Sequence, residues 1–364
     1  IHQGLALAYL GQGKVSKAET ELQIGISLIE RDRRQINDAD GRSVFITSRQ
    51  NVYHEMVNFQ FNVKHSPATA FYYAETAKSR NLLDTLSQKT TTKWQDGRVV
   101  LSSMGNARSL NLKQVQQSLS PNVQVLSYTV TEKKLIIWLV TRGEFFAESV
   151  DCDSGHLQSI VSNYLNSLRS RRDIEVVNAQ AAELYNTLIS PIDSKLDRNL
   201  LICVIPDGIL YQLPFAALVS PTNNRYLIED FSITTSPSAS VMVRTSGLAA
   251  AKRIRSSETF IGISNPRFNY KRFTGLPSLP SAEEEVARVR ALYPKSELLK
   301  NEQATEMALI RNISRYNIVH IASHILVDSQ SPLQSSILLA EEGSQTVTEG
   351  KVTEIVPDGT LQAM

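Results

Sequence analysis

The first part of the chain has small and large apolar residues at the spacing of packed helices. The segments LALAYLGQG and KAETELQIGISLIE repeat such residues three or four positions apart, which is typical of two helices that cross closely. Small side chains let the helices approach, and large side chains fill the space opposite. The pattern predicts a helix–turn–helix unit that packs through Ala6, Tyr9, Gly13, Ala18, Leu22 and Gly25.

Two further helices are predicted before the pattern changes. One lies near residues 43–62, after the polar stretch RDRRQINDADGR. The next begins at Ser66-Pro67, because serine is a favoured N-cap and proline is favoured at the first helical position. Its apolar stripe consists of Ala70, Phe71, Ala74, Ala77, Leu82 and Leu86. The run QKTTTKWQDG then breaks the period, so we expect an all-α segment over 1–88 and a linker over 89–98.

Short β-branched and aromatic runs follow the linker. VQVLSYTV, KLIIWLVT and FFAESV are separated by EKK and RGE, which predicts a three-stranded antiparallel meander. Helices are predicted over 156–169 and 178–190. LLICVI is apolar throughout, as expected for a strand that is covered on both faces. FSITTS is a candidate strand, and Pro237–Arg244 is expected to open a helix.

The last third of the chain alternates strands and helices. TFIGIS, SELL, NIVHIAS and SSILLA are predicted strands, and NIVHIAS is expected to be buried. Helices are predicted over 282–292, opened by the capping box Ser281-Ala-Glu-Glu284, and over 304–313. This alternation implies a three-layer α/β sandwich with a largely parallel sheet, which we assign to residues 99–364.

Composition excludes several classes of protein. The chain has 364 residues, a formal net charge of +2 and no long basic run, so we expect no nucleic-acid partner. No apolar run approaches the roughly 20 residues that span a bilayer, so we expect no membrane partner. Two cysteines without C-x-x-C spacing favour a reducing, cytoplasmic setting. The chain opens at Ile1 and closes on DGTLQAM, and we expect both ends to be cuts through a longer chain.

One histidine follows the predicted strand NIVHIAS directly. In open parallel sheets, functional groups lie at the carboxyl ends of strands, which is where this pattern puts His324. Such a position combines a rigid backbone with an accessible side chain and suits a general acid or base. A capping or packing role is the alternative. His320 lies inside the strand, and we expect it to face a helix as a hydrogen-bonded core histidine.

The other reactive groups offer His324 no evident partner. Cys203 lies inside the apolar run LLICVI, where burial raises a thiol pKa, and Cys152 follows the meander outside the parallel sheet. Asp207, in the turn Pro206-Asp207-Gly208, is expected to shape that turn and not to act in catalysis. No metal-ligand spacing and no phosphate-binding loop is present, so we predict neither a metal nor a cofactor.

Five segments within residues 70–340 occur in a characteristic order. They are YAETAKSRNLLDTL, LLICVIPDGILYQLPFAALVSP, YLIEDFSITTSPSASV, LPSLPSAEEEVARVRALYP and ATEMALIRNISRYNIVHIASHI. Together they resemble the CHAT family, whose domains are caspase-like regions of prokaryotic proteins that typically follow tetratricopeptide repeats. The first helix pair resembles one such repeat. The resemblance implies a caspase-like sandwich preceded by repeats that bind a protein partner or regulator, with further repeats upstream because one repeat cannot bury its own face.

The same resemblance implies a catalytic pair. In the family, a histidine at the end of a sheet strand pairs with a cysteine at the end of the next core strand, and the second histidine of the H-x-A-x-H stretch corresponds to His324. The spacing of about 50 residues in caspases puts the cysteine beyond Met364. The implied reaction is thiolate attack on a peptide substrate, with His324 protonating the leaving amine and backbone N–H groups stabilising the oxyanion. The chain as given is therefore expected to be inactive.

One residue departs from the family pattern. Ile325 stands where the family usually has glycine, which permits a positive φ and close approach of the substrate. A β-branched side chain resists both. The sequence thus leaves two functions open: a caspase-like cysteine endopeptidase with protein-binding repeats, and a catalytically inactive scaffold that mediates protein–protein interactions.

Overall fold

The computed structural model describes most of the chain. The described residues are 1–36, 41, 44–46, 48–78, 83, 93–95, 98–100, 108–253, 258–327, 335–342 and 359–362. They belong to two compact units. The first unit lies within Ile1–Gln35, Phe45–Gln88 and Met104–Ser246. The second unit lies within Ile36–Val44, Lys89–Ser103 and Gly247–Met364. The predicted boundaries of the domains stay a prediction.

Helices open the described chain, and strands and further helices follow. The helices are α1 His2–Gly11, α2 Val15–Gln35, α3 Gln50–Asn58, α4 Pro67–Ala77, α5 Leu112–Ser118, α6 Ser154–Arg169, α7 Ile174–Leu188, α8 Leu227–Asp230, α9 Ala239–Arg253, α10 Pro280–Arg290 and α11 Glu306–Ile313. The strands are β1 Lys93–Gln95, β2 Arg98–Val100, β3 Val123–Val130, β4 Leu135–Val140, β5 Phe145–Val150, β6 Leu201–Ile205, β7 Ile233–Thr235, β8 Thr259–Ser264, β9 Lys295–Lys300, β10 Ile318–Ala322, β11 Ile325–Leu326, β12 Ser336–Leu338 and β13 Thr360–Gln362.

The predicted helix–turn–helix unit is present as α1 and α2. Ala6, Ala18 and Leu22 are buried in one apolar cluster, as the spacing predicts. Gly25 is also buried, and a Cβ there would lie at van der Waals distance, 3.4 Å, from Val52 Cγ1, so α2 and α3 pack closely at this small residue. Gly13 was predicted to pack, and this is wrong: it is exposed in the turn with φ +71°, which glycine adopts without strain.

The helix α4 begins at Pro67, as predicted from the sequence. Ser66 is the N-cap residue, although its hydroxyl bonds the Thr69 hydroxyl at 2.8 Å and not a backbone N–H. The residues of the predicted stripe that the structure describes are buried, and Phe71 packs edge-on against Trp138 with ring centroids 5.9 Å apart. Leu82 and Leu86 lie outside the described residues.

A five-stranded sheet forms the centre of the first unit, in the order β5-β4-β3-β6-β7. The predicted meander is confirmed, since β3 pairs antiparallel with β4 and β4 with β5. Strand β6 runs parallel to β3, and β7 runs parallel to β6. Alternate side chains of β4 enter two different apolar clusters, one with α6 and α7 and the other with α3, α4, α5 and α9. Helices therefore cover both faces, which explains why β4 is apolar throughout.

A three-stranded parallel sheet lies in the second unit, in the order β10-β8-β9. The chain runs β8, α10, β9, α11 and β10, which is the predicted alternation. NIVHIAS was predicted to be buried, and this is wrong, because Val319 is 36% exposed and the other residues of β10 are half-buried. The reason is position: β10 is an outer strand of this sheet among the described residues.

One local prediction in this unit is also wrong. The capping box at Ser281 does not form; α10 begins two residues earlier than predicted, at Pro280, with Leu279 as an N-cap that makes no side-chain cap bond. Proline is favoured at the first helical position because its φ is already helical. The last predicted strand, SSILLA, is confirmed as β12, and it pairs antiparallel with β11 and β13 outside the parallel sheet. The connection from β11 is shorter than the dozen or more residues that a parallel crossover requires.

The fold class predicted from the sequence is confirmed. A helical segment precedes a mixed α/β region whose sheets carry helices, and the strands β3, β6 and β7, as well as β10, β8 and β9, run parallel. The strands β1 and β2, which lie in and just after the predicted linker over 89–98, pair with each other antiparallel. None of the helices in the described ranges combines the length and the apolar character that crossing a membrane would require.

Candidate functional site

His324 lies where the sequence predicts it, just after the carboxyl end of β10. Its backbone is held on both sides by β12: the Leu338 N–H donates to the His324 carbonyl at 2.9 Å, and the Ser323 hydroxyl donates to the Leu338 carbonyl. The side chain is half-buried. The histidine is thus fixed at its backbone and still open to solvent.

The imidazole of His324 has two neighbours that fix its orientation. Its Nε2 atom lies 2.8 Å from the Pro277 carbonyl oxygen. Its ring meets the ring of Phe268 edge-on, with centroids 5.5 Å apart and planes at 89°. Because a carbonyl oxygen can only accept, Nε2 carries the proton in this arrangement. The Nδ1 atom of the neutral ring then carries the lone pair that can take up a proton and later release it.

Sequence reasoning missed both neighbours of His324. Pro277 and Phe268 lie about 50 residues earlier in the chain, in the loop between β8 and α10. Neither a proline carbonyl nor a loop phenylalanine carries a chemical signal in the sequence. Only the pairing of β10 with β8 brings the loop to the end of the strand that carries the histidine.

His320 faces a helix, as predicted. Its Nε2 atom lies 2.8 Å from Glu285 Oε1 on α10, and its ring stacks on Phe260 at 6.3 Å between centroids. The prediction that it is a core residue is wrong, since its side chain is 32% exposed. The exposure follows from the outer position of β10. The contacts with Glu285 and Phe260 account for His320 as a structural residue.

Ile325 lies in a regular strand. It pairs with Ile337 between β11 and β12, and the residues with positive φ in the described part of the chain do not include it. The backbone therefore does not need glycine there for conformational reasons. The side chain is 62% exposed directly after His324, so a β-branched group stands on the solvent side of the candidate site.

Both cysteines are buried, which confirms the prediction for Cys203 and adds the burial of Cys152. Cys203 is fully buried in β6, and burial, followed by the charge of Glu75, raises its pKa to about 12. Burial and then Asp153 raise the pKa of Cys152, which follows β5. A thiol is a nucleophile only as thiolate, so neither cysteine is suited to attack a substrate at neutral pH.

Asp207 shapes the turn after β6, as predicted. Its Oδ2 atom accepts a hydrogen bond of 2.7 Å from the Val130 N–H, which joins the carboxyl ends of β6 and β3. Gly208 follows with φ +55°, a conformation that glycine adopts without strain. The carboxylate is buried, and His54 Nε2 lies 3.9 Å from its Oδ2 atom.

No pattern in the sequence indicates the buried charge cluster that surrounds Asp207. Lys78 is 5% exposed, and its Nζ atom donates to the Ser127 hydroxyl at 3.0 Å and to the Tyr128 carbonyl at 2.6 Å. Glu75 is buried as well and accepts a bond of 3.1 Å from the Ser240 N–H. A glutamate and a lysine three positions apart are typical of an exposed helix face. The spacing of Glu75 and Lys78 therefore does not distinguish this buried pair from an exposed one.

No group of three or more histidine, cysteine, aspartate or glutamate residues in the described ranges is arranged to hold a metal ion.

Comparison with known proteins gives two kinds of match. The family model of the CHAT domain matches residues 178–363, just over half of the chain. The human protein called tetratricopeptide repeat protein 28 is 27% identical over 217 residues, which cover 54% of this chain and 8% of that protein. The mouse protein of the same name is 28% identical over 173 residues, which cover 43% of this chain and 7% of that protein. The chain thus corresponds to a small part of each relative.

Proposed function

Because this chain belongs to the CHAT domain family, we propose that it is part of a caspase-like cysteine endopeptidase with a protein-binding helical segment. In this proposal His324 is the general acid and base, and the nucleophilic cysteine lies beyond residue 364. The observation that carries the proposal is the geometry of His324: a strand-end histidine with Nε2 on the Pro277 carbonyl and Nδ1 available for proton transfer.

The proposed reaction is hydrolysis of a peptide bond. The Nδ1 atom of His324 takes the proton of the thiol, and the thiolate attacks the carbonyl carbon of the substrate. Collapse of the tetrahedral intermediate breaks the C–N bond, and the imidazolium gives its proton to the leaving amine. A water molecule, deprotonated by His324, then hydrolyses the thioester and releases the thiol. The Pro277 carbonyl stabilises the imidazolium by accepting from Nε2–H throughout.

The helical segment is the proposed site for a protein partner or regulator. The printed name of both relatives refers to tetratricopeptide repeats, and the hairpin of α1 and α2 packs through small and large residues as such repeats do. Stacked helical hairpins present extended surfaces that bind proteins. Two buried free cysteines support a reducing, cytoplasmic setting for this function. A prokaryotic origin stays a prediction, since both relatives are mammalian.

One observation favours a second function, that of an inactive scaffold. The exposed side chain of Ile325 stands next to His324, where an endopeptidase of this family usually has glycine. A substrate carbonyl must approach backbone N–H groups closely to be stabilised as an oxyanion. A branched side chain at this point leaves less space for the substrate carbonyl to reach those N–H groups. A scaffold that binds proteins without cleaving them is therefore the alternative.

The experiment that tests the proposal uses a longer form of the protein that includes the residues after 364. We expect it to react with a thiol-directed peptidyl ketone probe and to cleave a peptide library. His324→Ala should lower kcat/KM about 100- to 10,000-fold, the usual contribution of a general acid or base. His320→Ala, which changes the histidine bonded to Glu285, is the matched control and should retain activity. Absence of probe labelling and of cleavage would instead support the scaffold.

A further inference from the structure

The loop between β8 and α10 makes both contacts that orient the His324 ring. Phe268 lies near its beginning and meets the ring edge-on, and Pro277 lies near its end and provides the carbonyl that accepts from Nε2. The orientation of the imidazole therefore depends on the conformation of this loop.

Asn265 closes the loop by bonding its two ends together. It is the first residue after β8, and its Oδ1 atom accepts a hydrogen bond of 2.7 Å from the N–H of Leu279, the last residue before α10. Its Nδ2 atom donates to Glu283 Oε1 on α10 at 2.9 Å. The carboxamide thus joins the start of the loop to its end and to the helix that follows.

Asn265 is also bonded to the strand that carries the histidine. Its backbone N–H donates to the Ala322 carbonyl at 3.2 Å, two residues before His324. The backbone of Asn265 has φ +44°, a left-handed conformation in which asparagine is enriched among non-glycine residues. This conformation turns the chain out of β8 while the side chain faces Leu279. One residue therefore connects β10, which holds His324, to the loop that holds its ring.

We propose that Asn265 is a positioning residue for His324: it clasps the β8–α10 loop so that Phe268 and the Pro277 carbonyl hold the imidazole with Nδ1 free. This inference rests on the proposed role of His324 as the general acid and base. Asn265 does not touch the reacting atoms, and its effect reaches the histidine through the loop. No motif in the sequence assigns this role, since the stretch GISNP lacks the pattern of a nucleophile turn.

The test measures the His324 ring itself in the protein with ¹⁵N- and ¹³C-labelled histidine. Two NMR signals report its orientation. One is the nuclear Overhauser effect between ring protons of His324 and Phe268, and the other is the exchange rate of the Nε2 proton with water. We expect both to show an ordered ring in the wild-type chain. Asn265→Gly keeps a residue that tolerates the positive φ and removes only the carboxamide bonds. Loss of the contact and about two- to tenfold faster exchange are expected, the range that corresponds to one hydrogen bond.

A pair of variants separates this role from a general effect on folding. Asn265→Asp keeps the acceptor for the Leu279 N–H but sets a carboxylate against Glu283. Adding Glu283→Gln restores a donor opposite that carboxylate. We expect the His324 signals to be disturbed in the single variant and to return in the double variant. Asn312→Ala, which removes a carboxamide whose hydrogen bonds to described residues lie within and beside α11, is the matched control and should leave the signals unchanged.

Two results would overturn the inference. One is a folded Asn265→Gly protein in which the Phe268 contact and the Nε2 exchange rate match the wild type. The other, which decides the case if Asn265→Gly unfolds, is equal His324 signals in Asn265→Asp with and without Glu283→Gln. Neither result bears on whether the longer protein cleaves peptides. Conversely, a longer protein without peptidase activity leaves the ring measurements valid, so the two proposals fail separately.

Discussion

Lys78 is a buried cation whose environment compensates for the loss of water. The ammonium group donates to the Ser127 hydroxyl and the Tyr128 carbonyl. Burial lowers its pKa, and the carboxylates of Asp207 and Glu75 act in the opposite direction. Burial likewise raises the pKa of Glu75, which Lys78 opposes. Each buried charge in this cluster therefore depends on the others.

Removing Lys78 should be costly for this reason. We expect Lys78→Ala to lower the free energy of unfolding by about 3–5 kcal/mol, since it leaves buried carboxylates without their cation. Lys134→Ala is the control: this lysine is half-exposed and pairs with an exposed Asp151, so the loss should stay below about 1 kcal/mol. Urea unfolding of the two variants at pH 7 measures the difference. Equal losses would show that the buried cluster contributes nothing beyond a surface pair.

His54 gives the first unit a predictable response to acid. Burial lowers its pKa; the nearby Asp207 carboxylate opposes this shift, and Lys78 adds to it. Below the ordinary histidine pKa of about 6.5, the unfolded chain takes up a proton that the folded chain resists. Stability is therefore complete above about pH 6.5 and falls as the pH drops toward the lower pKa of folded His54.

The matching prediction compares His54→Gln with the wild type between pH 7 and pH 5. The variant should lose less stability over this interval, by at most about 1.4 kcal/mol for each pH unit. Urea unfolding at several pH values provides the measurement, with His156→Gln on the exposed face of α6 as the control. If the wild type and His54→Gln lose the same stability, the acid response belongs to other groups.

At the scale of elements, the packing of α10 on β8 leaves no room for a side chain at Gly262. A Cβ there would overlap Val286 Cγ1 and lie 3.0 Å from Phe260 Cε1. Gly262 pairs with His320 of β10 and Leu298 of β9, so it sits in the middle of the parallel sheet. Close contact between α10 and the sheet therefore requires a residue without a side chain at position 262.

Gly262→Ala should destabilise the second unit by about 1–3 kcal/mol through overpacking. Combining it with Val286→Ala frees the space and should recover part of the loss, which a double-mutant cycle quantifies. Gly143→Ala serves as the control, because nothing lies within 4 Å of its Cβ position. Hydrogen exchange of the β8 and β9 amides reports the unit directly. A Gly262→Ala protein with unchanged exchange would contradict the close packing.

At the scale of the whole molecule, the chain of 364 residues should not hydrolyse peptides. Both of its cysteines are buried, and burial raises the pKa of each thiol. We expect iodoacetamide to modify them only after the protein is unfolded, and a fluorogenic peptide library to stay intact. Mass spectrometry and fluorescence provide the two measurements. Peptide cleavage that disappears with Cys152→Ala or Cys203→Ala would refute this prediction and identify the nucleophile.

Much of the architecture could be predicted from local pattern. The meander, the alternation of the last third and the position of His324 follow from runs of two- and 3.6-residue period, because each run must bury an apolar face. The predictions were wrong where the burial or the start of an element depends on the elements and residues around it in the fold. The burial of β10 depends on its place in the strand order, and the start of α10 depends on Pro280 and not on the side chain of Ser281.

The sequence by itself determined the fold class, the family and the histidine at the end of its strand, since these depend on periodicity and on the order of motifs. The tertiary structure alone decided the surroundings of the buried charged groups and of His324. Pro277 and Phe268 meet at His324, and Asn265 bonds the Ala322 carbonyl of its strand, because parallel pairing aligns the carboxyl ends of β8 and β10. Such contacts join residues far apart in the chain, and no local pattern encodes which of them will become neighbours.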